Sequence, residues 1–296
     1  MNLNLETVRE PLEVILRHAE RLHNHARDLR AIYRQAGDRP LHRIWETWSN
    51  QIDHHLLSIV QNAYARLEAT CSTGSEPDGH LPDGQQDALY RARAVFEEIY
   101  ETDLALAALC SDNPVDSIRD HIRNKTANLP AAFFDSVVVG RRFLFVGSGA
   151  FPTTALALTT KLDCRITCLD RNLAANEIAR SFVAKNGSAD RVHIIDGDVL
   201  SFPDIAAFDT VIFAFLVGVE TRPDVPQKKS DLVSKVLEQM APKARLIARS
   251  PLAEASRIYP YVDLDPAIAR SIRHVPANGP IRYDFPFLII EKDELR

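Results

Sequence analysis

Near the middle of the chain, a few residues have the types and spacing to do chemistry. In the stretch RRFLFVGSGAFPTTALAL, residues 141–158, an apolar run ends at Val146 and is followed by Gly147, Ser148 and Gly149. Glycines at such a point let the backbone bend sharply and approach a ligand, because no Cβ stands in the way. Asp170 follows Gly149 by 21 residues, at the end of the next apolar run, RITCLD. A carboxylate about 20 residues beyond a glycine loop can accept hydrogen bonds from both hydroxyls of a ribose. A third run, RVHIIDGD, carries Asp196 and Asp198 at its end, where either carboxylate could hold an adenine amine.

Pro152 stands where a dinucleotide fingerprint puts its third glycine. That glycine serves the close approach of a helix N-terminus that holds pyrophosphate. Proline is tolerated in a first helical turn, where the N–H it lacks would have no partner. The loop keeps the features that receive ribose and adenine and drops the one for pyrophosphate, which favours S-adenosylmethionine over NAD. A structural turn with no ligand is the competing reading.

Placing these residues together requires strands that end side by side and helices that cover them. From about residue 138, short apolar runs alternate with helical segments. RFLFVG, RITCLD, RVHIIDGD, DTVIFAFL and ARLIARS read as strands, with helices near 152–162, 174–185 and 228–240 between them. This alternation predicts βαβ units and a parallel sheet with helices on both faces. FPFLIIEK near the C-terminus is one more strand, expected to run antiparallel. The expected fold is thus α/β, a Rossmann-like doubly wound sheet over residues 138–296. Residues 1–137 read instead as an all-α domain. Leu12, Ile15, Leu16 and Ala19 recur at helical spacing, as do Ile52, Leu56, Ile59 and Val60, and Leu89, Ala92, Phe96 and Ile99. CSTGSEPDGHLPDG is a loop within that half.

Composition narrows the class of partner. Hydrophobic residues make up 46% of the chain, ample for a packed core, and a formal net charge of −5 with no polybasic run gives no reason to expect nucleic acid or a membrane. The N-terminal segment lacks a long apolar core, so no secretory signal is expected, and no apolar run of about 18 residues predicts a membrane span. Cys71, Cys110, Cys164 and Cys168 form no CxxC pair. That pattern fits structural thiols in a reduced, cytoplasmic setting. No metal site is expected. The oligomeric state is open, with a homodimer admissible.

The wider pattern resembles the nicotianamine synthase family and its bacterial relatives. FVGSGAFPTTALAL is similar to that family's loop, approximately FVGSGPLPLTS. Downstream, LVGVETRPDVPQKKSDLVSKVLEQMAPKARLIARSPLAEASRIYPYVD looks like its LVG step, lysine-bearing helix, ARS strand and YP-x-VD turn. Upstream, DNPVDSIRDH resembles its NPLDHLRLFPYY segment. The resemblance implies S-adenosylmethionine used as a donor substrate, in an uncommon way. An amine attacks the γ-carbon beside the sulfonium, takes the 3-amino-3-carboxypropyl group, and methylthioadenosine leaves. Family members build metal-chelating amino acids this way, and some relatives cyclise the donor to azetidine-2-carboxylate.

Carried over position by position, the resemblance puts Gly147, Ser148, Gly149, Pro152 and Thr153 along the donor, Asp170 on its ribose and Asp198 near its adenine. It puts Phe213, which ends the fourth strand, beside the methionine portion. The family's catalytic glutamate, on the last long helix of the N-terminal domain, is best matched by Glu97. Glu98 is its neighbour, and only one of the two can face the site. Tyr100 and Tyr90 are further candidates. Tyr259 and Asp263 match the YP-x-VD turn, while Arg249 and Ser250 match the end of the fifth strand. Of these, Arg249 and Tyr259 are candidates to meet a substrate carboxylate. For each residue a purely local structural role competes.

One departure bears on mechanism. Aligned from Asn113-Pro114, His121 takes the family's phenylalanine position, and Arg123 and Asn124 take its two tyrosine positions, one of them catalytic. Either His121 replaces the tyrosine, being titratable near neutrality, or Arg123 holds the carboxylate of a different acceptor, or the donor is cyclised with no external acceptor. Transfer to an amino acid stands narrowly ahead of cyclisation. A small-molecule methyltransferase, and a module that binds the donor without reaction, stand behind both.

Overall fold

The computed structural model describes residues 5–36, 40–72, 83–129, 134, 138–214, 216–219, 229–249, 262, 272–275 and 287–292. The first half is helical, as the periodicity predicts. It comprises α1 (Leu5–Ala36), α2 (Leu41–Ser49), α3 (His54–Ser72), α4 (Asp83–Leu109) and α5 (Pro114–Asn128). The helix α4 is central, packing against α1, α2, α3 and α5 and also against the second half. Pro114 opens α5 at its first position, where a missing N–H costs nothing.

The second half follows as β1 (Arg142–Val146), α6 (Thr153–Lys161), β2 (Arg165–Asp170), α7 (Leu173–Lys185), β3 (Val192–Asp196), β4 (Thr210–Phe213), α8 (Lys229–Gln239), β5 (Arg245–Arg249), β6 (Ile272–Val275) and β7 (Phe287–Glu291). They form one seven-stranded sheet in the order β3-β2-β1-β4-β5-β7-β6. β1 to β5 pair in parallel, and β7 runs antiparallel to both β5 and β6. The Rossmann-like fold and the antiparallel last strand are as expected. β6 carries no such signal in the sequence, because its four residues, Ile-Arg-His-Val, set two polar side chains together between two apolar ones and lack a strand's alternation.

Strand order reverses between β1 and β4, and ligands of open α/β sheets bind beyond the carboxyl ends of strands at that point. Both faces of the sheet are covered, so the central strands are apolar throughout. Phe143 and Phe145 of β1 face one cluster, with Ile166, Cys168, Ile212 and Ile247, while Leu144 and Val146 face another, with Val211, Phe213 and α8. The first cluster does not stop at the sheet. It continues through α6 and α7 into α5, α4 and α1, so one apolar core joins the helical half to the sheet. Fully burying a side chain such as Leu156 or Phe182 stabilises by roughly 2–3 kcal/mol. Cys164 and Cys168 sit in this cluster as free thiols, and burial pushes their pKa up to about 11 and about 12, which makes them inert packing groups.

Candidate active site at the glycine loop

The loop after β1 has the geometry its glycines suggest. Gly147 and Gly149 have φ of 76° and 63°, in the left-handed region that a side chain disfavours. A Cβ on Gly147 would lie 2.4 Å from Val217 Cγ2, and one on Gly149 would lie 2.5 Å from Glu101 Oε2. Asp170, at the end of β2, braces the loop: its Oδ2 accepts from the Gly149 N–H and its Oδ1 from the Asn172 N–H, each at 2.9 Å. Each oxygen keeps a lone pair with which it could accept a hydroxyl. Burial pushes the Asp170 carboxyl above the usual carboxylate range, and the two backbone N–H groups work against that rise.

Pro152 sits at the N-cap of α6, one residue before the first turn, and its carbonyl accepts the first helical bond from Leu156 N at 3.1 Å. Thr153 opens the helix and is buried, as is Ser148. Phe151 anchors the loop with edge-on contacts to His121 of α5 and Phe182 of α7, at centroid distances of 5.0 and 5.1 Å.

The residues proposed for adenine and the methionine portion are placed differently. Asp198 caps a short 3-10 turn, accepting from Leu200 N at 2.9 Å, and its other oxygen lies 3.5 Å from Arg171. Asp196 is held by Asn176 and Arg180, both at 2.7 Å. Either carboxylate would have to share these partners with a ligand. Phe213 must be corrected. It is wholly buried on the α8 face of the sheet and presents no surface to a ligand. Strand alternation turns it away from the loop, and only the backbone continues towards the site, where Ala214 N donates to Val146 O at 3.0 Å.

The helix α4 decides between the two adjacent glutamates. Glu98 is clamped: Arg30 of α1 donates to both of its oxygens, at 2.9 and 2.5 Å, and Asn172, the N-cap of α7, donates at 3.0 Å. Glu98 therefore ties three elements together. Glu97 pairs instead with Arg93, one turn earlier, whose buried guanidinium lies 4.2 Å from the centroid of the Tyr64 ring. One turn later stands Glu101, whose carboxyl rests against Gly149. It keeps some exposed surface, yet protein closes round it. Burial pushes its pKa up to about 8; the negative charges of Glu97 and Asp170 add to the rise, and Lys125 and Arg93 oppose it. Tyr100 makes no hydrogen bond to the loop: it stacks on Phe96 at 5.4 Å, and its hydroxyl accepts from Gln61 of α3 at 3.0 Å.

On α5, His121 faces the loop through Phe151, and burial holds its imidazole below the ordinary histidine pKa, so it is neutral near pH 7. Lys125, one turn on, faces Glu101. Arg123 lies on the opposite side, with its side chain 76% exposed and paired to Asp120 of its own helix at 2.8 Å. The helical period turns positions 121 and 125 towards the loop and 123 away from it, so the described structure brings His121 but not Arg123 to the glycine loop. Arg249 pairs with Phe287 across β5 and β7 through its backbone. Its side chain lies outside the described residues, as do Ser250, Tyr259 and Asp263.

Glu101, Arg93 and Lys125 are further candidate site residues that no family motif marks. A signal existed: Arg93, Glu97 and Glu101 recur every four residues, which places them on one helix face. The arrangement joins a loop fit for a nucleoside to carboxyl groups able to exchange a proton. Among the described residues, no group of His, Cys, Asp or Glu is placed to hold a metal ion, and no helix is long and apolar enough to cross a membrane.

Sheet order, glycine loop and strand-end acid define a Rossmann-like α/β protein with a nucleoside-type site. The model of the nicotianamine synthase protein family matches residues 86–278, about two thirds of the chain, and the chain belongs to that family. A nicotianamine synthase 2 from Oryza sativa subsp. japonica is 28% identical over 222 residues, covering 70% of this chain and 67% of that protein. An L-histidine 2-aminobutanoyltransferase from Yersinia pestis is 28% identical over 145 residues, covering 47% of this chain. The match spans 54% of the Yersinia enzyme's length. In fold, the chain is similar to a glutamate-to-glutamine variant of MtNAS in complex with S-adenosylmethionine, with a TM-score of 0.63 at 16% identity over 95% of this chain and 98% of the other.

Proposed function

We propose that the chain is an enzyme that takes S-adenosylmethionine as donor substrate and passes its 3-amino-3-carboxypropyl group to the amine of an amino acid, releasing methylthioadenosine. The observation that carries this reading is the convergence on Gly149 of two groups from opposite halves of the chain: Asp170 holds its N–H, and the Glu101 carboxyl rests on its open side. Family membership and the aminobutanoyl transfer named for the Yersinia relative support it.

In this reading, Gly147 and Gly149 admit the donor, Asp170 accepts its ribose hydroxyls, and Asp198 lies towards its adenine. The sulfonium already activates the carbon. The protein has to hold a neutral amine in line with the breaking C–S bond, which can supply several kcal/mol of the barrier, and to accept the proton the new C–N bond sets free. Glu97 and its neighbours on α4 serve that second task. The helical half closes over the donor as a lid. Arg249 and Tyr259 are kept as candidates for a substrate carboxylate. A cytoplasmic setting fits the free, buried thiols.

Cyclisation of the donor is the second reading. The outward turn of Arg123 supports it, because that residue stands at a family tyrosine position and, among the described residues, pairs with Asp120 of its own helix. Mass spectrometry of the pure protein with S-adenosylmethionine alone, and then with histidine or another amine, separates the readings. Methylthioadenosine only when an amine is present supports transfer, and methylthioadenosine with azetidine-2-carboxylate and no added amine supports cyclisation. S-adenosylhomocysteine as product would sink both and leave a methyltransferase.

A further inference from the structure

An acid that accepts two ribose hydroxyls at once must present both oxygens in one fixed plane. At Asp170, hydrogen bonds from the protein set that plane: Gly149 N–H holds Oδ2 and Asn172 N–H holds Oδ1, each at 2.9 Å. The first donor belongs to the glycine loop. The second belongs to the N-cap of α7, and its own placement reaches back into the helical half of the chain. We propose that Glu98 of α4 is a positioning residue for the donor's ribose: through Asn172 it fixes the plane of the Asp170 carboxylate. This deepens the function proposed above and rests on it.

Asn172 makes hydrogen bonds in three directions. Its N–H donates to Asp170 Oδ1, its side-chain oxygen accepts from Ala175 N at 3.3 Å, and its Nδ2 donates to Glu98 Oε1 at 3.0 Å. A side chain held at both polar atoms leaves its backbone N–H one direction in which to point. Arg30 of α1 holds Glu98 in turn, with Nε on the same Oε1 at 2.9 Å and Nη2 on Oε2 at 2.5 Å. The Glu98 side chain is only 14% exposed, so water competes little for these bonds. One turn along α7, the wholly buried Asn176 donates to the Asp170 carbonyl at 2.9 Å and to Asp196 Oδ1 at 2.7 Å. Asn176 fixes where the end of β2 lies, and Asn172 fixes how its carboxylate is turned.

Charge alone would not put a glutamate at this place. The negative charge of Glu98 works against ionising Asp170. Two features offset it: Arg30 neutralises Glu98, and Asn172 stands between the two acids and donates to each. What Asn172 takes from position 98 is therefore one oxygen atom, Oε1, and not a charge.

Calorimetric binding of methylthioadenosine and of its 2′-deoxy analogue to the full chain reads the ribose contact directly. The wild type should prefer the ribonucleoside by roughly 30-fold, as for a hydrogen bond to a charged group. Glu98→Ala should cut that preference to about threefold or less, weakening the ribonucleoside far more than the deoxy analogue. Its KM for S-adenosylmethionine should rise roughly tenfold with kcat nearly unchanged. Glu98→Gln keeps an oxygen for Arg30 Nε and Asn172, so most of the preference should survive, although both variants lose the ion pair. A merely structural role would weaken both nucleosides alike. An undiminished preference in E98A, or an equal loss in E98Q and E98A, therefore overturns the inference. Where E98A fails to fold by circular dichroism, Asn172→Ser takes its place with the same loss expected, since it keeps a capping oxygen and is too short to reach Glu98. Equal binding of the two nucleosides by the wild type overturns the inference alone, provided that methylthioadenosine is still formed from S-adenosylmethionine. A wild type that binds neither nucleoside nor donor overturns the proposed function with it.

Discussion

The Glu101 carboxyl fills the space that any side chain at position 149 would need, with Oε2 2.5 Å from an ideal Cβ on Gly149. That contact joins the long helix of the first half to the loop that ends the first strand of the second. It explains why the glycine loop cannot be understood from the sheet alone: one wall of the loop is α4.

Gly149→Ala should therefore be costly in two separable ways. The φ of 63° costs about 1–2 kcal/mol for alanine whatever the space, and the new methyl group must displace the Glu101 carboxyl. The second cost is the smaller, because a glutamate end can swing. Denaturant unfolding should show a loss of about 1–2 kcal/mol, and adding Glu101→Ala should recover only part of it. Full recovery in the double variant would mean that contact, not backbone, sets the need for glycine.

Glu101 also predicts how stability depends on pH. Its pKa is raised in the folded state, to about 8 from an ordinary 4.5. A folded chain that binds more protons than the unfolded one loses stability as pH rises. The protonated group's favourable contribution is complete below about 4.5 and is lost as the pH climbs through about 8. Glu101→Gln removes this slope, so the variant should melt higher than the wild type at pH 8.5 by on the order of a few degrees. A thermal melt series from pH 5 to 9 checks it, and parallel curves for the two proteins would refute it.

Most of the fold was legible in the sequence because its signals are local. β1 is five residues of nearly unbroken apolar pattern ended by glycine, and α7 is marked by Asn172, whose side chain accepts from the Ala175 N–H. The loop and Asp170 were legible for the same reason, since turn chemistry is written in neighbouring residues. The site's far wall was not. Which glutamate of α4 meets the loop depends on a packing angle between halves, and a family motif gave Glu97 and Glu98 no means of separation. Phe213 was misread because a strand end near a ligand says nothing about which face its side chain takes. Arg123 shows the same limit: an aligned position says nothing about the helical period, which here turns the side chain away from the loop.

The division of labour on α4 can be tested directly. Glu98→Ala breaks bonds to Arg30 and Asn172 that tie α1, α4 and α7. It should destabilise by about 1–3 kcal/mol, as for lost charge-assisted hydrogen bonds, while leaving the product unchanged. Glu97→Gln keeps the shape and should cut turnover strongly while leaving donor binding largely intact, with some loss of stability because the buried Arg93 loses a charged partner. Activity and urea unfolding on the same two variants check the assignment. An inactive but stable Glu98→Ala would reverse it.

Arg123 separates alignment from geometry. With a side chain 76% exposed and, among the described residues, only an exposed partner on its own helix, Arg123→Ala should change stability by less than about 0.5 kcal/mol and leave kcat/KM within error for every amine tried. His121→Ala should behave otherwise. It removes the ring packed on Phe151, loosening the loop and raising KM for the donor. Steady-state kinetics of both variants decide the point, and a fall in kcat/KM confined to Arg123→Ala would show that α5 turns on substrate binding to bring that guanidinium inward.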